Sequence, residues 1–162
     1  MEKIGEEDIV RLCGGQVIID MKSVIKELLE NSIDSSANNV ALKHHTSKLS
    51  TFIDLDSLHT FGFRGEALSS IVSLSDCEII TKSNLDTFVH AHTLSFKPNG
   101  ELAAATVTSH EVGTTVKVRN LFKNLPVRKK QFEKSYKKQF AKSIPIIEAY
   151  GMISEGVRIS LI

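Results

Sequence analysis

The sequence predicts an α/β protein in which antiparallel strands form a meander with one face polar or covered by helices. Three observations lead to this prediction. Residues Lys22 to Asp34 repeat apolar side chains at the spacing of a buried helical stripe. From Glu78 onward the hydrophobic period changes to two, which is typical of strands. A second helical pattern, rich in lysine, follows the turn at Leu125–Val127.

Length and composition indicate one domain of ordinary globular make-up. The chain has 162 residues, of which 41% are hydrophobic and 24% charged, enough for a sizeable core. No apolar run approaches the roughly 20 residues that cross a bilayer, and the acidic N-terminus does not resemble a secretory signal. Cys13 and Cys77 are too few for a disulfide framework or a zinc site, so we expect a reducing compartment, the cytosol or the nucleus.

The first predicted helix has a polar side with chemistry of its own. Its buried stripe comprises Val24, Ile25, Leu28, Leu29 and Ile33. Glu27, Asn31 and Asp34 fall close together on another side, roughly one and two turns apart. A carboxylate can accept a proton, and carboxylate and amide oxygens are ligands that Mg²⁺ prefers. The alternative is the ordinary solvated face of an amphipathic helix.

A glycine-bracketed turn, Gly62 to Leu68, leads into a predicted helix at Ala67–Val72. Its glycines let the backbone approach a ligand closely, and N–H groups at the start of a helix attract anions. Upstream, Thr46 to Lys48 supplies hydroxyls and a cation for phosphate oxygens. Neither GxxxxGK[ST] nor GxGxxG is present, which excludes the common nucleotide folds. His44 and His45 have no carboxylate or cysteine at ligand spacing, which argues against a metal centre there.

The strand region is expected to form successive antiparallel pairs. Predicted strands are Glu78–Thr81, Phe88–Phe96, Glu101–Thr108 and Thr114–Val118, with Val157–Ile162 as a further strand. Turns at Ser83–Asn84, Pro98–Gly100 and Glu111–Gly113 would join the first four into the meander. His90 and His92 would share one face of a strand, where surface or core roles are more common than ligand roles.

The lysine-rich segment predicts a helix with a cationic surface. Its apolar stripe is expected at Phe132, Tyr136, Phe140 and Ile144, each four residues after the last. Pro145 should kink or restart the helix. Residues 117–142 hold ten of the chain's twenty Lys and Arg and one acid, Glu133. These cations either neutralise phosphates without reading sequence or form a solvated, solubilising face.

Four motifs occur in order: KELLENSID, HTSK, GFRGEAL and VGTTVKVRNLFKNLPVRKK. Together they resemble the N-terminal ATPase region of the MutL family of DNA mismatch-repair proteins, over nearly the whole chain. CGGQV and KHHTSK are more similar to the PMS branch than to its MLH partner. The resemblance implies the GHKL, or Bergerat, fold, a two-layer α/β sandwich of mixed, mostly antiparallel sheet with helices on one face. Gyrase, histidine kinases and the ninety-kilodalton heat-shock chaperones share this fold.

The resemblance also implies roles for particular residues. Glu27 would be the catalytic general base of a Mg-dependent ATPase, and Asn31 the side-chain ligand of Mg²⁺. The nucleotide, ATP, would lie near the following residues: Thr46, Ser47 and Lys48 of the lid; Phe63, Arg64, Gly65, Glu66, Ala67 and Leu68 around the triphosphate; and Thr114 on the pocket floor. Each role agrees with the chemistry of the residue type.

Partners follow from the same resemblance. We expect non-specific DNA contacts from the basic helix, an MLH-type partner subunit, location in the nucleus and no membrane association. The expected DNA-contacting residues are Arg128, Lys129, Lys130, Lys134, Lys137 and Lys138. The predicted function is an ATP-binding and hydrolysing module whose nucleotide-dependent closure and dimerisation act as a switch on DNA. The alternative is a non-catalytic nucleic-acid-binding or scaffolding fragment that uses the basic helix.

The chain departs from the family pattern between Val40 and Ala41. The family carries there a strand pair and an Asp-x-Gly-x-Gly motif whose Asp recognises adenine, and both are missing. A deletion would remove central strands, so we expect an omitted stretch of chain instead. The second subdomain, with its lysine for the γ-phosphate, and the C-terminal endonuclease and dimerisation region are absent too. We therefore expect an N-terminal ATPase domain fragment, residues 1–162, that binds nucleotide weakly and hydrolyses it slowly.

Overall fold

This computed structural model describes residues 15–43, 65–84, 90–97 and 99–162. Within them the chain forms three long helices and six strands, which confirms the predicted α/β class with a mostly antiparallel sheet. In chain order the elements are α1 (Met21–Asp34), β1 (Asn39–Leu42), α2 (Gly65–Leu74), β2 (Asp76–Lys82), β3 (Ala91–Phe96), β4 (Leu102–Thr108), β5 (Gly113–Arg119), α3 (Pro126–Ile153) and β6 (Arg158–Leu161).

The main sheet has four antiparallel strands in the order β4-β3-β2-β5. The simple meander was therefore wrong in one respect, because β5 returns across the sheet to pair with β2 instead of β4. This is a Greek-key order. Burial supplies the reason: β5 is buried along most of its length, whereas β4 consists of exposed small and apolar residues. The prediction that His90 and His92 share one face of a strand is also wrong, because β3 begins at Ala91 and His90 lies outside it.

A separate two-stranded parallel pair joins β1 to β6. Its register places Val40 opposite Ile159 and Ala41 opposite Ser160, and the strand runs through Val40 and Ala41 without a break. With the main sheet, this pair gives the mixed strand arrangement that was predicted. A stretch omitted between Val40 and Ala41 stays a prediction.

Helix α1 begins one residue before its predicted start, because Asp20 caps it. Ser23 N–H donates a 2.8 Å hydrogen bond to Asp20 Oδ1, and Asp20 N–H donates one of 2.9 Å to Ser23 Oγ. This reciprocal capping box satisfies donors that the helix would leave unpaired. The helix ends at Asp34, followed by Ser36 at a φ of 60°, as expected for a left-handed C-terminal residue.

Helix α3 is one continuous helix of 28 residues, with Pro126 in its first turn. Pro145 lies inside it and does not restart it. The predicted stripe holds to Phe140 and then fails at Ile144, because steps of four residues drift about 40° per step around the helix. Buried Ser143 and Ile147 take over the core-facing positions, and half-buried Tyr150 packs beyond them.

The core lies between α1, the sheets and α3. Its largest fully buried side chains include Leu28 and Leu29 of α1, Ile79 of β2 and Phe122 of the loop before α3. Phe122 has a φ of 65° and meets Phe132 edge-to-face at 5.7 Å between ring centroids. A buried aromatic ring thus holds the loop in a backbone conformation that is unusual for a non-glycine residue.

Candidate functional site

Glu27 and Asn31 lie one turn apart on α1, at the margin of the core. The Glu27 side chain is 21% exposed, Asn31 is half-buried, and Asp34 is exposed. Leu28 and Val24, on the adjoining side of the helix, are buried. The pair therefore occupies a partly sheltered position, where oxygen atoms keep access to a ligand while losing some of their hydration.

Glu27 adjoins a charged cluster that the sequence did not predict. Lys26 Nζ lies 3.5 Å from Glu27 Oε1 and 2.7 Å from Glu30 Oε2. The Tyr150 hydroxyl, on α3, donates a hydrogen bond to the other oxygen of the same carboxylate, Glu30 Oε1. The spacing of Lys26 and Glu30, four residues apart on a helix, could have signalled their pairing. Nothing in the local sequence could have signalled Tyr150.

The contacts with Glu30 also shift the pKa values of Lys26 and Tyr150. The hydrogen bond to Glu30 is the main cause that raises the pKa of Lys26 above its ordinary value. Burial, followed by the hydrogen bond to Glu30, raises the pKa of Tyr150. At neutral pH, Lys26 is therefore a cation and Tyr150 a protonated donor.

The segment assigned to the triphosphate is only partly described. Gly65 begins α2, Ala67 is buried and Leu68 packs against the core. The side chains of Ala67 and Leu68 serve the core, so a phosphate would meet this segment through backbone N–H groups. Outside the described residues, or with an undescribed side chain, lie the following: His44, His45, Thr46, Ser47, Lys48, Phe63, Arg64 and Glu66.

Thr114 is fully buried in β5, opposite Thr81 of β2. The two hydroxyl oxygens lie 2.7 Å apart and share a hydrogen bond. This pairing satisfies the hydroxyl of Thr114 within the sheet. Its assignment to the pocket floor stays a prediction.

The basic segment divides into two groups. Arg128 points inward: its Nη1 donates a 2.8 Å hydrogen bond to the Gly15 carbonyl, and its guanidinium lies 5.3 Å from the centroid of the Phe122 ring. Lys129 lies 3.9 Å from Glu133. The exposed group is Lys130, Lys134, Lys137, Lys138 and Lys142. Arg128 and Lys129 therefore lie outside the exposed group, and the assignment of all six predicted residues to DNA stays a prediction.

The described residues form neither a metal-ligand cluster nor a membrane-spanning helix. No group of three or more His, Cys, Asp or Glu there is arranged to hold a metal ion by itself. None of the described helices has both the length and the apolarity that a membrane crossing requires.

Curated proteins that are similar to this chain include mismatch-repair endonucleases. The chain is 41% identical over 189 residues to "Mismatch repair endonuclease pms1" of Dictyostelium discoideum, covering 99% of this chain and 18% of that protein. It is 37% identical over 190 residues to "Mismatch repair endonuclease PMS2" of Homo sapiens, covering 99% and 22%. The chain thus spans about a fifth of the length of these relatives. A scan of family profiles finds no match.

The matched spans exceed the length of the chain itself. The Dictyostelium match extends over 189 positions, whereas the chain has 162 residues, a difference of 27. The relative therefore carries at least that many residues without a counterpart in this chain.

Solved structures share the fold. "Crystal Structure of N terminal domain of a DNA repair protein" has a TM-score of 0.83 at 33% identity, covering 95% of this chain and 51% of that one. The Aquifex aeolicus MutL ATPase domain complexed with ADP has a TM-score of 0.71 at 28% identity, covering 86% and 58%. These likenesses confirm the GHKL-type fold. The chain belongs to the MutL family of mismatch-repair proteins, is PMS-like, and corresponds to part of that family's ATPase domain.

Proposed function

We propose that this chain is an ATP-binding and hydrolysing module of a DNA mismatch-repair protein. The observation that carries the proposal is the placement of Glu27 and Asn31 one turn apart at the sheltered margin of α1. The chain's likeness to a MutL ATPase domain solved with ADP supports it. A buried or a fully solvated position would have favoured a purely structural role.

The donor set fits a magnesium–nucleotide complex. Asn31, a half-buried residue, offers an amide oxygen, and Glu27, whose side chain is 21% exposed, offers a carboxylate. Both are hard oxygen donors of the kind that Mg²⁺ accepts. Asn31 would hold the ion, which supplies charge neutralisation for the phosphates. Backbone N–H groups at the start of α2, from Gly65 to Ala67, would bind phosphate oxygens.

Glu27 would act on the attacking water. Its carboxylate takes a proton from the water as the oxygen attacks the terminal phosphorus, and the leaving nucleotide diphosphate carries away the electron pair of the broken bond. Half-burial limits competition from solvent for the carboxylate oxygens. The sequence contains no Asp-x-Gly-x-Gly motif, so we expect this chain to bind nucleotides with weak selectivity for the base.

We also propose the finer parts of the function, which the likeness to mismatch-repair proteins supports. Nucleotide-dependent closure and dimerisation with an MLH-type subunit would make the chain a switch on DNA, and its place would be the nucleus. The exposed lysines of α3 would supply sequence-independent contacts to phosphates. The same lysines favour the second candidate, a non-catalytic nucleic-acid-binding or scaffolding fragment.

Equilibrium binding separates the two candidates. We expect the chain to bind ATP more tightly with Mg²⁺ than with a chelator, and Asn31→Ala to lose that difference. Asn38→Ala changes an exposed asparagine just beyond α1 and should behave like the parent. Absence of ATP binding, together with retained DNA binding, would favour the non-catalytic nucleic-acid-binding fragment instead.

A further inference from the structure

The carboxylate of Glu30 connects two helices through its separate oxygens. Oε1 accepts the hydrogen bond from Tyr150 on α3, and Oε2 lies 2.7 Å from Lys26 Nζ on α1. The same ammonium group lies 3.5 Å from Glu27 Oε1. An unbroken series of polar contacts thus runs from α3 to the proposed general base.

We propose that Tyr150, Glu30 and Lys26 act as positioning residues that hold the Glu27 carboxylate in its catalytic orientation. This inference rests on the proposed function. It assigns Tyr150 a part in hydrolysis although Tyr150 belongs to a different helix from Glu27 and meets it only through Glu30 and Lys26.

Each member suits its place in the series. Tyr150 packs against the core, so its hydroxyl is fixed by a ring with few alternative positions. The side chains of Glu30 and Glu27 are 20% and 21% exposed, while that of Lys26 is 40% exposed. The carboxylates are therefore sheltered, and the more exposed ammonium group needs Glu30 to keep it beside Glu27.

This series of contacts would keep the Glu27 carboxylate in one orientation. A carboxylate on a flexible side chain samples several rotamers, and a general base works only within hydrogen-bond reach of its water. The ammonium group of Lys26 restricts Glu27 by attraction, and Tyr150 restricts Lys26 by fixing Glu30. Loss of Tyr150 should therefore reduce turnover without weakening the binding of ATP.

Steady-state hydrolysis of Mg-ATP by the whole chain tests this inference. We expect Tyr150→Phe to lower kcat roughly three- to tenfold, the effect of removing one hydrogen bond, with KM unchanged. Tyr136→Phe removes a hydroxyl from another half-buried tyrosine of α3 and serves as the matched control, with parental kcat and KM. Thermal unfolding of both variants checks that each remains folded.

Variants at Lys26 test the same series from its other end. Lys26→Met should lower kcat in the same way, and Lys26→Arg, which keeps the cation, should restore most of the rate. The inference is overturned if Tyr150→Phe and Lys26→Met both turn over at the parental kcat, or if Tyr136→Phe loses as much as Tyr150→Phe. Failure of the proposed function has a different signature: the parent would then hydrolyse ATP no faster than Glu27→Ala.

Discussion

The guanidinium group of Arg128 donates a 2.8 Å hydrogen bond to the backbone carbonyl of Gly15, 113 residues earlier in the chain. It also lies over the Phe122 ring. A pocket of about 520 Å³ adjoins this contact and is lined partly by Leu125 and Gln131. Arg128 therefore joins the segment before α1 to the start of α3, and its part in binding DNA stays a prediction.

Removal of Arg128 should accordingly reduce stability. We expect Arg128→Ala to lower the free energy of unfolding by about 1–2 kcal/mol, because it removes a charge-assisted hydrogen bond and a cation–π contact. Lys130→Ala, at an exposed position of the same helix, should stay within about 0.5 kcal/mol of the parent. Urea unfolding measures both, and equal midpoints for parent and Arg128→Ala would refute the structural role.

The exposed lysines of α3 give a separate prediction for DNA. Charge reversal of Lys130, Lys134 and Lys138 should weaken binding to duplex DNA and reduce the slope of log affinity against log salt by about 0.9 for each phosphate that is no longer neutralised. A control variant with the same net charge reverses three exposed cations outside α3, namely Lys22, Lys97 and Arg158. Titrations at several salt concentrations measure the slope. Equal slopes for the two variants would leave α3 without a DNA-binding surface.

The free energy of unfolding should depend on pH through Asp76, which begins β2 and contacts the loop between β5 and α3. Hydrogen bonds from Asn120 and then Lys123 hold the pKa of Asp76 below its usual range. A lowered folded pKa stabilises the protein above the unfolded pKa, near 4, and that contribution is lost as the pH falls through the folded value. Asp76 is half exposed, so we expect less than about 1 kcal/mol.

Unfolding of Asp76→Asn at several pH values measures this contribution. The variant should be less stable than the parent at neutral pH, and the difference should narrow as the pH falls below about 4. A difference that stays constant over the whole range would show that Asp76 contributes through packing alone.

The thiol of Cys77 should be unreactive in the native protein. Burial is the main cause that raises its pKa to about 12, so almost no thiolate exists at neutral or mildly alkaline pH. In a Cys13→Ser background, a thiol-specific reagent should react with Cys77 at pH 8 only after urea is added. Rapid reaction of the native protein would mean that β2 opens readily.

Local periodicity accounts for the parts of the fold that sequence predicts well. The apolar spacing around Leu28 located α1 to within one residue, since that helix buries a single stripe and has a strong cap at Asp20. The position of β5 was missed because pairing across the sheet depends on which strand the helices bury, which alternation alone does not specify. The hydrogen bond between Arg128 and Gly15 could not be predicted, because the two residues are remote in sequence.

The candidate site also combines residues that the sequence could predict with a contact that it could not. The spacing of Glu27 and Asn31 and the family motifs could be recognised from sequence, because both lie within one helical turn or one short segment. The contact of Tyr150 with Glu30 spans 120 residues and depends on how α3 packs against α1. Residue type alone could not distinguish Tyr150 from Tyr136.

Hydrolysis of ATP by the chain and by Glu27→Ala tests the central claim most directly. We predict that Glu27→Ala still binds Mg-ATP but hydrolyses it roughly 10²–10⁴-fold more slowly than the parent, the usual contribution of a general base. Phosphate release under single-turnover conditions separates hydrolysis from binding. Equal rates of phosphate release from parent and Glu27→Ala would contradict the assignment of Glu27 and the ATPase function built on it.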